Sequence, residues 1–331
     1  MIIFAKMKQM YDTLIIGAGV TGLAAAMYAG RLNLKTIVLG TASTTELPIG
    51  GVITLTDTVE NYPGFKHLTG QELAEKLEQH AREYNIEIKE EKAADISKHN
   101  KLNYFIIKTE KSSYHAKTII FATGAKWKEL PMKGAEEFKS KGVHYCALCD
   151  GALYKDKTIA VIGGSDSAAK EALLLSQFGK KVYIIYRKDK IRAEPINAKL
   201  IEKNKKIEII TNTNVVEISG DKFVNKAILD KAYNGSKELK VDGIFGAIGH
   251  IPLSDLAVKL GVKINDKKEI IVDRESKTNV KGIFAAGDVI DLEFKQAITG
   301  VAEGVVAAHS AYTYINENNS VCFFDDKEYK K

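Results

Sequence analysis

Cysteine is scarce. The 331-residue chain has three, Cys146, Cys149 and Cys322. Three cannot build a disulfide framework, so the small disulfide-stapled scaffold class is excluded and each cysteine needs its own account. No apolar run approaches the ~18 residues that cross a bilayer. Met1-Ile2-Ile3-Phe4-Ala5 is too short for a signal-peptide core, and no small-residue cleavage site follows it. The expectation is a cytoplasmic, reducing compartment and no membrane partner. Neither sign of charge dominates, with Lys+Arg 48 against Asp+Glu 42, and no basic stripe with interleaved aromatics appears. A nucleic-acid partner is therefore not expected. Proline is sparse, 5 against 26 glycines, so glycine clusters are local devices rather than low complexity. What is there is an ordinary globular composition, 45% hydrophobic and 27% charged, at a length that suits two domains.

Strands and helices alternate. Residues 12–16, 36–39 and 117–121 read as buried-type strands, with helical patterns at 21–33 and 70–84. The scheme restarts with strands at 158–162 and 181–185 around a helix at 167–178. Alternation of this kind predicts parallel sheets wrapped by helices, an α/β fold. The segment 222–247, with the turn Tyr233-Asn-Gly-Ser236, predicts an antiparallel hairpin near an edge. A helical pattern runs from about 296 to 316, ahead of a charged tail.

A glycine-rich turn follows a strand twice, which reads as two dinucleotide-binding folds in tandem. The first is Gly17-Ala18-Gly19-Val20-Thr21-Gly22. Gly17 permits the tight turn, Gly19 lets a pyrophosphate approach the backbone, and Gly22 lets helix and strand pack closely. The second strand ends Leu39-Gly40, without the carboxylate that holds a ribose. Glu46, in the loop beyond, is a possible substitute. The second turn is Gly163-Gly164-Ser165-Asp166-Ser167-Ala168, where Ser165 stands in place of the middle glycine. Arg187, Lys188 and Arg192 follow the next strand, near the position that reads the ribose, and cations there favour a 2′-phosphate and so NADP over NAD.

Cys146-Ala-Leu-Cys149-Asp150 has the spacing of a redox disulfide and of half a zinc site. Zinc lacks a second pair and would need His144 or Asp150 as ligands, so the redox reading leads and no metal is expected. Asp150 suits a proton donor to a departing thiolate, or a helix cap. Cys322 reads as a bystander.

Two dinucleotide folds with Cys-Ala-Leu-Cys-Asp just ahead of the second resemble the low-molecular-weight thioredoxin reductases, FAD-dependent enzymes of the pyridine nucleotide-disulfide oxidoreductase family. The resemblance covers roughly residues 10 to 316. Gly50-Gly51 and the segment containing Asn61 look like flavin contacts. Ala122-Thr123-Gly124 and Gly249-His-Ile-Pro252 look like the domain crossovers. Gly287 and Asp288 look like the ribityl motif, and Lys295, Gln296 and Ala297 like the segment at the pyrimidine end of the flavin. The glutathione-reductase type spaces its cysteines differently, and the related ferredoxin reductases lack the pair.

The resemblance implies two Rossmann-like, three-layer ββα domains, one inserted in the other. A discontinuous FAD domain would span 1–124 and 251–331, and an NAD(P)H domain carrying the cysteines 125–250. Gly17, Gly19, Val20, Thr21, Gly22, Gly50, Gly51, Asn61, Ala122, Thr123, Gly124, Gly287, Asp288, Lys295, Gln296 and Ala297 would serve FAD. Gly163, Gly164, Ser165, Asp166, Ser167, Arg187, Lys188 and Arg192 would serve NADPH. Cys149 would be the flavin-proximal sulfur, Cys146 the one that attacks a thioredoxin or glutaredoxin-like disulfide, and Asp150 the proton carrier. The insert would swing about the crossovers, and a homodimer is implied. The sequence departs from the family at Ser165, Tyr186, Lys188 and Lys170, and at Val52 and Lys295. The donor therefore stays open between NADPH, NADH and a non-nicotinamide source such as ferredoxin or a deazaflavin. A slow flavin-binding redox sensor is a further alternative.

Overall fold

The computed structural model describes residues 9–40, 48–56, 58–84, 86–99 and 102–318. It holds two compact units, one built from the chain up to Ala125 and from Pro252 onward, the other Lys126–Ile251. The two segments that pass between them, Ala125–Trp127 and His250–Pro252, pair as a two-stranded sheet.

The first unit is organised by a seven-stranded sheet. Its order is Glu87–Glu90, Thr36–Gly40, Met10–Ile16, Ser113–Phe121, Phe105–Lys108 and Asp95–Lys98, with Ile283–Ala285 pairing in parallel to the end of Ser113–Phe121. Period-2 alternation sends Leu14, Ile37, Ile119, Phe121 and Ile283 into one core, and Ile15, Val38, Ile120 and Phe284 into another on the opposite face. Both faces are covered, which is why these strands read as unbroken apolar runs. Helices Val20–Arg31 and Ala297–Asn318 cover the second face, through Ala25, Ala26, Ala29, Ala307, Ala308 and Ala311.

The second unit repeats the plan. Strands Ile207–Ile210, Lys181–Ile185, Thr158–Ile162, Gly243–Gly246 and Val143–His144 lie in that order, all parallel. Ala160, Ile162, Ile185 and Ile244 face a separate antiparallel sheet of Val215–Gly220, Val224–Tyr233 and Ser236–Lys240. Ile159, Val161, Val182, Ile184 and Phe245 face the helices, above all Asp166–Phe178. The layers are thus antiparallel sheet, parallel sheet and helix, the three-layer α/β architecture expected.

The segment 222–247 divides differently from its sequence pattern. The hairpin turns at Asn234 and Gly235, both at positive φ, but it belongs to the separate three-stranded sheet. Gly243–Gly246 leaves it to become an inner parallel strand between Thr158–Ile162 and Val143–His144. The apolar run Gly243-Ile-Phe-Gly246 is buried on both faces, and only long-range pairing decides which sheet takes it.

Candidate active site

Each glycine turn sits at the carboxyl end of the central strand of its sheet, where the strand order reverses direction, the usual place for a ligand in an open α/β sheet. At the first, Gly17 has φ +113°, and a Cβ there would stand 2.1 Å from the Ala122 carbonyl oxygen. Its amide donates to Leu39 O at 2.8 Å. At Gly22 a Cβ would lie 1.9 Å from Gly17 O, so no side chain fits between helix and turn. Gly19 is different. A Cβ there would meet only Gly50 O, at 3.7 Å, which leaves its face open as a cradle at the helix N-terminus. Gly50 closes beside it, its amide donating to Ala18 O at 2.7 Å, and it leads with Gly51 into the turn Gly51–Leu55 at positive φ.

The remaining residues expected at the flavin converge on this unit. Asn61 Nδ2 donates to Gln296 Oε1 at 3.0 Å, joining two segments far apart in sequence. Thr123 Oγ1 donates to Leu253 O at 2.7 Å. Gly287, at φ +79°, packs on Thr21, whose Oγ1 would be 2.6 Å from a Cβ there. Beside it the Asp288 carboxylate is exposed and has no partner among the described residues. Lys295 Nζ donates to Glu269 Oε1 at 2.6 Å and to Asp288 O at 2.9 Å, so it braces the loop that carries Asp288. Ala297 opens the last helix. An open glycine cradle, a positively poised helix end and a free carboxylate beside it fit a dinucleotide with a polyhydroxyl chain.

Sequence reasoning missed Glu303. Its Oε2 accepts from the Gly287 amide at 2.9 Å, and burial pushes its carboxyl above the usual range. A carboxylate on the small-residue face of the last helix was the available signal.

At the second turn, a Cβ on Gly163 would lie 2.3 Å from Ala247 O, the same relation that Gly17 has to Ala122. Gly164 is covered by the Tyr186 ring. Ser165 precedes helix Asp166–Phe178 in extended conformation, and its side chain makes no capping hydrogen bond. The Asp166 carboxylate is engaged, accepting from Glu194 N at 2.7 Å, Asn197 Nδ2 at 2.8 Å and Lys170 Nζ at 2.9 Å. Lys170 thus neutralises Asp166. Ser167, Arg187, Lys188 and Arg192 are exposed, and the three cations carry no ion pair among the described residues. Arg192 N donates to Gly164 O at 2.7 Å, which brings its loop alongside the turn. These residues fit the anionic end of a nucleotide.

Cys146 and Cys149 form a disulfide with a Cα–Cα distance of 5.4 Å. Cys146 caps the short helix Ala147–Asp150, its Sγ accepting from Cys149 N at 3.1 Å. Cys149 is exposed and Cys146 half-buried. Asp150, at the end of that helix, does not cap it. Its Oδ2 meets His144 Nδ1 at 3.0 Å, and His144 Nε2 meets the Tyr154 hydroxyl at 2.8 Å. Both nitrogens of His144 are thus taken, and among the described residues no group of His, Cys, Asp and Glu is arranged to hold a metal. Glu46 and Cys322 lie outside the described residues.

Residues 11–304 match the family of pyridine nucleotide-disulphide oxidoreductases. A thioredoxin reductase of Peptoclostridium acidaminophilum is 38% identical over 320 residues, 94% of this chain and 99% of its own. The crystal structure of Lactococcus lactis thioredoxin reductase in its FR conformation superposes with a TM-score of 0.87 at 38% identity, covering 93% of this chain and 99% of the other. That of T. acidophilum thioredoxin reductase gives 0.85 at 36% identity, covering 92% and 99%.

Proposed function

The chain belongs to the pyridine nucleotide-disulphide oxidoreductase family, and we propose that within it Cys146 and Cys149 carry electrons from FAD to the disulfide of a thioredoxin. It is a flavoprotein thioredoxin-disulfide reductase, with FAD and NADPH as the cofactors of its family. The observation that carries the reading is the Cys146–Cys149 disulfide, set just ahead of the second of two dinucleotide turns.

The geometry of each unit supports the roles of the dinucleotide-site residues, and the resemblance supplies those of the cysteines. Gly17, Gly19 and Gly22 hold the pyrophosphate of FAD against the helix end, and Asp288 takes its ribityl hydroxyls, on a loop braced by Lys295 and Glu303. The turn at Gly163, with Ser165, Arg187, Lys188 and Arg192, takes NADPH. FAD bound there would supply the hydride chemistry that links the nicotinamide to the disulfide. By the resemblance, Cys149 would receive the electron pair, Cys146 would attack the partner disulfide, and Asp150 would move the proton.

The flavin domain is assigned to 1–124 with 251–331 and the nicotinamide domain to 125–250. Gly124 at φ +64° and Gly249 at φ +110°, each with open space where a Cβ would stand, suit the swing of the inserted domain. A homodimer working in the cytoplasm, with no nucleic-acid or membrane partner, completes the proposal. Among the described residues no helix is long and apolar enough to cross a membrane. The test is steady-state reduction of a thioredoxin disulfide by the FAD-loaded protein with NADPH. Turnover that needs both cysteines is expected. A protein that binds FAD but reduces no thioredoxin overturns the assignment.

A further inference from the structure

His144 stands at the end of strand Val143–His144, two residues before Cys146, and its side chain is 7% exposed. Its ring stacks on Phe245 at 5.3 Å between centroids, and the Tyr154 ring meets both edge-on. Tyr154 has room there because its neighbour is Gly243, where a Cβ would stand 2.2 Å from the ring. The imidazole thus has a fixed plane, with Asp150 on one nitrogen and Tyr154 on the other.

The donors and acceptors follow. Burial, and then the nearby Asp150 and Asp242 charges, push the Tyr154 hydroxyl up to about 12, so it keeps its proton at neutral pH. With the imidazole neutral, Tyr154 donates to Nε2 and Nδ1–H donates to the Asp150 carboxylate. A hydroxyl can reverse. When the imidazole takes a second proton, Tyr154 turns to accept from Nε2–H, and the pair becomes imidazolium and carboxylate.

We propose that His144 is a positioning residue of the thiol chemistry, holding Asp150 in place and storing one proton with it next to the cysteine pair. The proposal rests on the disulfide-reductase reading above. In that reaction Cys146 Sγ bonds to a partner sulfur as the partner S–S bond breaks. Cys149 Sγ then bonds to Cys146 Sγ as the mixed disulfide breaks. One electron pair passes to the partner, and the two protons of the enzyme thiols end on the partner thiols. The Asp150–His144 pair holds one of these protons between its departure and its delivery. With that proton stored, the pair is neutral overall rather than anionic, which favours a thiolate beside it. Further titratable groups lie on the elements packed here. They are Asp242, which acts on Tyr154 and is paired with Lys157, and Asp166, Lys170 and Glu171, on the helix whose Leu175 and Phe178 cover Gly151.

The experiment follows the rate of iodoacetamide alkylation of the dithiothreitol-reduced, FAD-loaded protein from about pH 5 to about pH 9. Wild type is compared with His144→Asn, which keeps a donor to Asp150 but cannot titrate, and with Tyr154→Phe. Wild type should show an inflection besides those of its three thiols. In His144→Asn that inflection should vanish, and the rate near pH 6 should fall by about tenfold, one unit of thiol pKa. A His144→Asn profile within twofold of wild type overturns the proposal. Should that variant fail to fold, Tyr154→Phe decides, a displaced inflection supporting the proposal and an unchanged one overturning it. Failure of the wild-type protein to reduce a thioredoxin would overturn the functional reading and would leave this alkylation profile measurable.

Discussion

Gly22→Ala puts the glycine cradle to a quantitative test. The added methyl would stand 1.9 Å from Gly17 O and 3.0 Å from Gly17 C. Comfortable contact needs roughly 3.5 Å, so the helix Val20–Arg31 would have to retreat by about 1.5 Å. It has nowhere to go. On its other side lies Ala297–Asn318, where a Cβ on Gly304 would already be 2.4 Å from Thr21 O. Overpacking of this kind costs about 1–3 kcal/mol, and here the obstacle is backbone, which places it at the upper end. The ~1 kcal/mol that alanine gains over glycine inside a helix offsets only part of it. The melting temperature should fall by several degrees, at roughly 2–4 °C per kcal/mol. The same retreat moves the helix end away from the pyrophosphate, so FAD affinity should fall by about tenfold or more, as ~1.4 kcal/mol implies. The assays are thermal unfolding and flavin-fluorescence titration of apoprotein. Gly235→Ala is the control. It has φ +83° with nothing within 4 Å, so it should carry only backbone strain of about 1–2 kcal/mol and leave FAD affinity unchanged. A Gly22→Ala protein with wild-type stability and wild-type FAD affinity would refute the reasoning.

Cys146→Ser and Cys149→Ser should each retain FAD and lose thioredoxin reduction by roughly a thousandfold or more; a Cys149→Ser protein that still turns over would refute the sulfur scheme. Replacing Arg187, Lys188 and Arg192 together by Ala should raise KM for NADPH by about tenfold or more, as the loss of a charge-assisted hydrogen bond of ~1.5–3 kcal/mol implies, while KM for NADH stays put. An unchanged NADPH KM would place the 2′-phosphate elsewhere. Burial pushes the Glu171 carboxyl up to about 8, and its Oε2 is shielded with no hydrogen-bond partner. The folded protein therefore holds this proton where the unfolded chain has released it, so Glu171 costs stability progressively as pH rises from the ordinary carboxyl range towards about 8. Glu171→Gln should be more stable than wild type by roughly 1–3 kcal/mol at about pH 8, and so melt higher, with the difference shrinking towards about pH 5. An equal gain at both pH values would refute the assignment.

Much of this was legible because a local pattern and its physical cause coincide. Gly17 and Gly22 must be glycine, since backbone oxygens occupy the space a side chain would need, and the motif shows in the letters alone. Strands such as Met10–Ile16 and Thr158–Ile162 are buried on both faces and so read as continuous apolar runs. The cysteine spacing announces its chemistry. Glu87–Glu90 and Asp95–Lys98 were not legible, because they are short, polar and half-exposed and become strands only through their neighbours. The hairpin pattern takes in Gly243–Gly246 because its apolar run does not reveal its partners. Glu303 escapes the sequence reading, and His144 enters it only as a would-be zinc ligand, for a related reason. Each is a single polar residue whose meaning lies in its contacts, Gly287 N for the first and Asp150 with Tyr154 for the second. Lys295 and Gln296 were found by resemblance, but their bonds to Glu269 and Asn61 appear only in the fold.

The central claim is that electrons pass from NADPH through FAD to Cys146 and Cys149 and on to a thioredoxin. Its most direct test is anaerobic stopped-flow of the FAD-loaded protein mixed with NADPH, or with NADH, followed by oxidised thioredoxin. Rapid loss of the flavin's visible absorbance with NADPH, and its return on adding thioredoxin, is the expected result. A flavin that dithionite reduces but neither nucleotide bleaches would contradict it, and would turn the search to ferredoxin or a deazaflavin as donor.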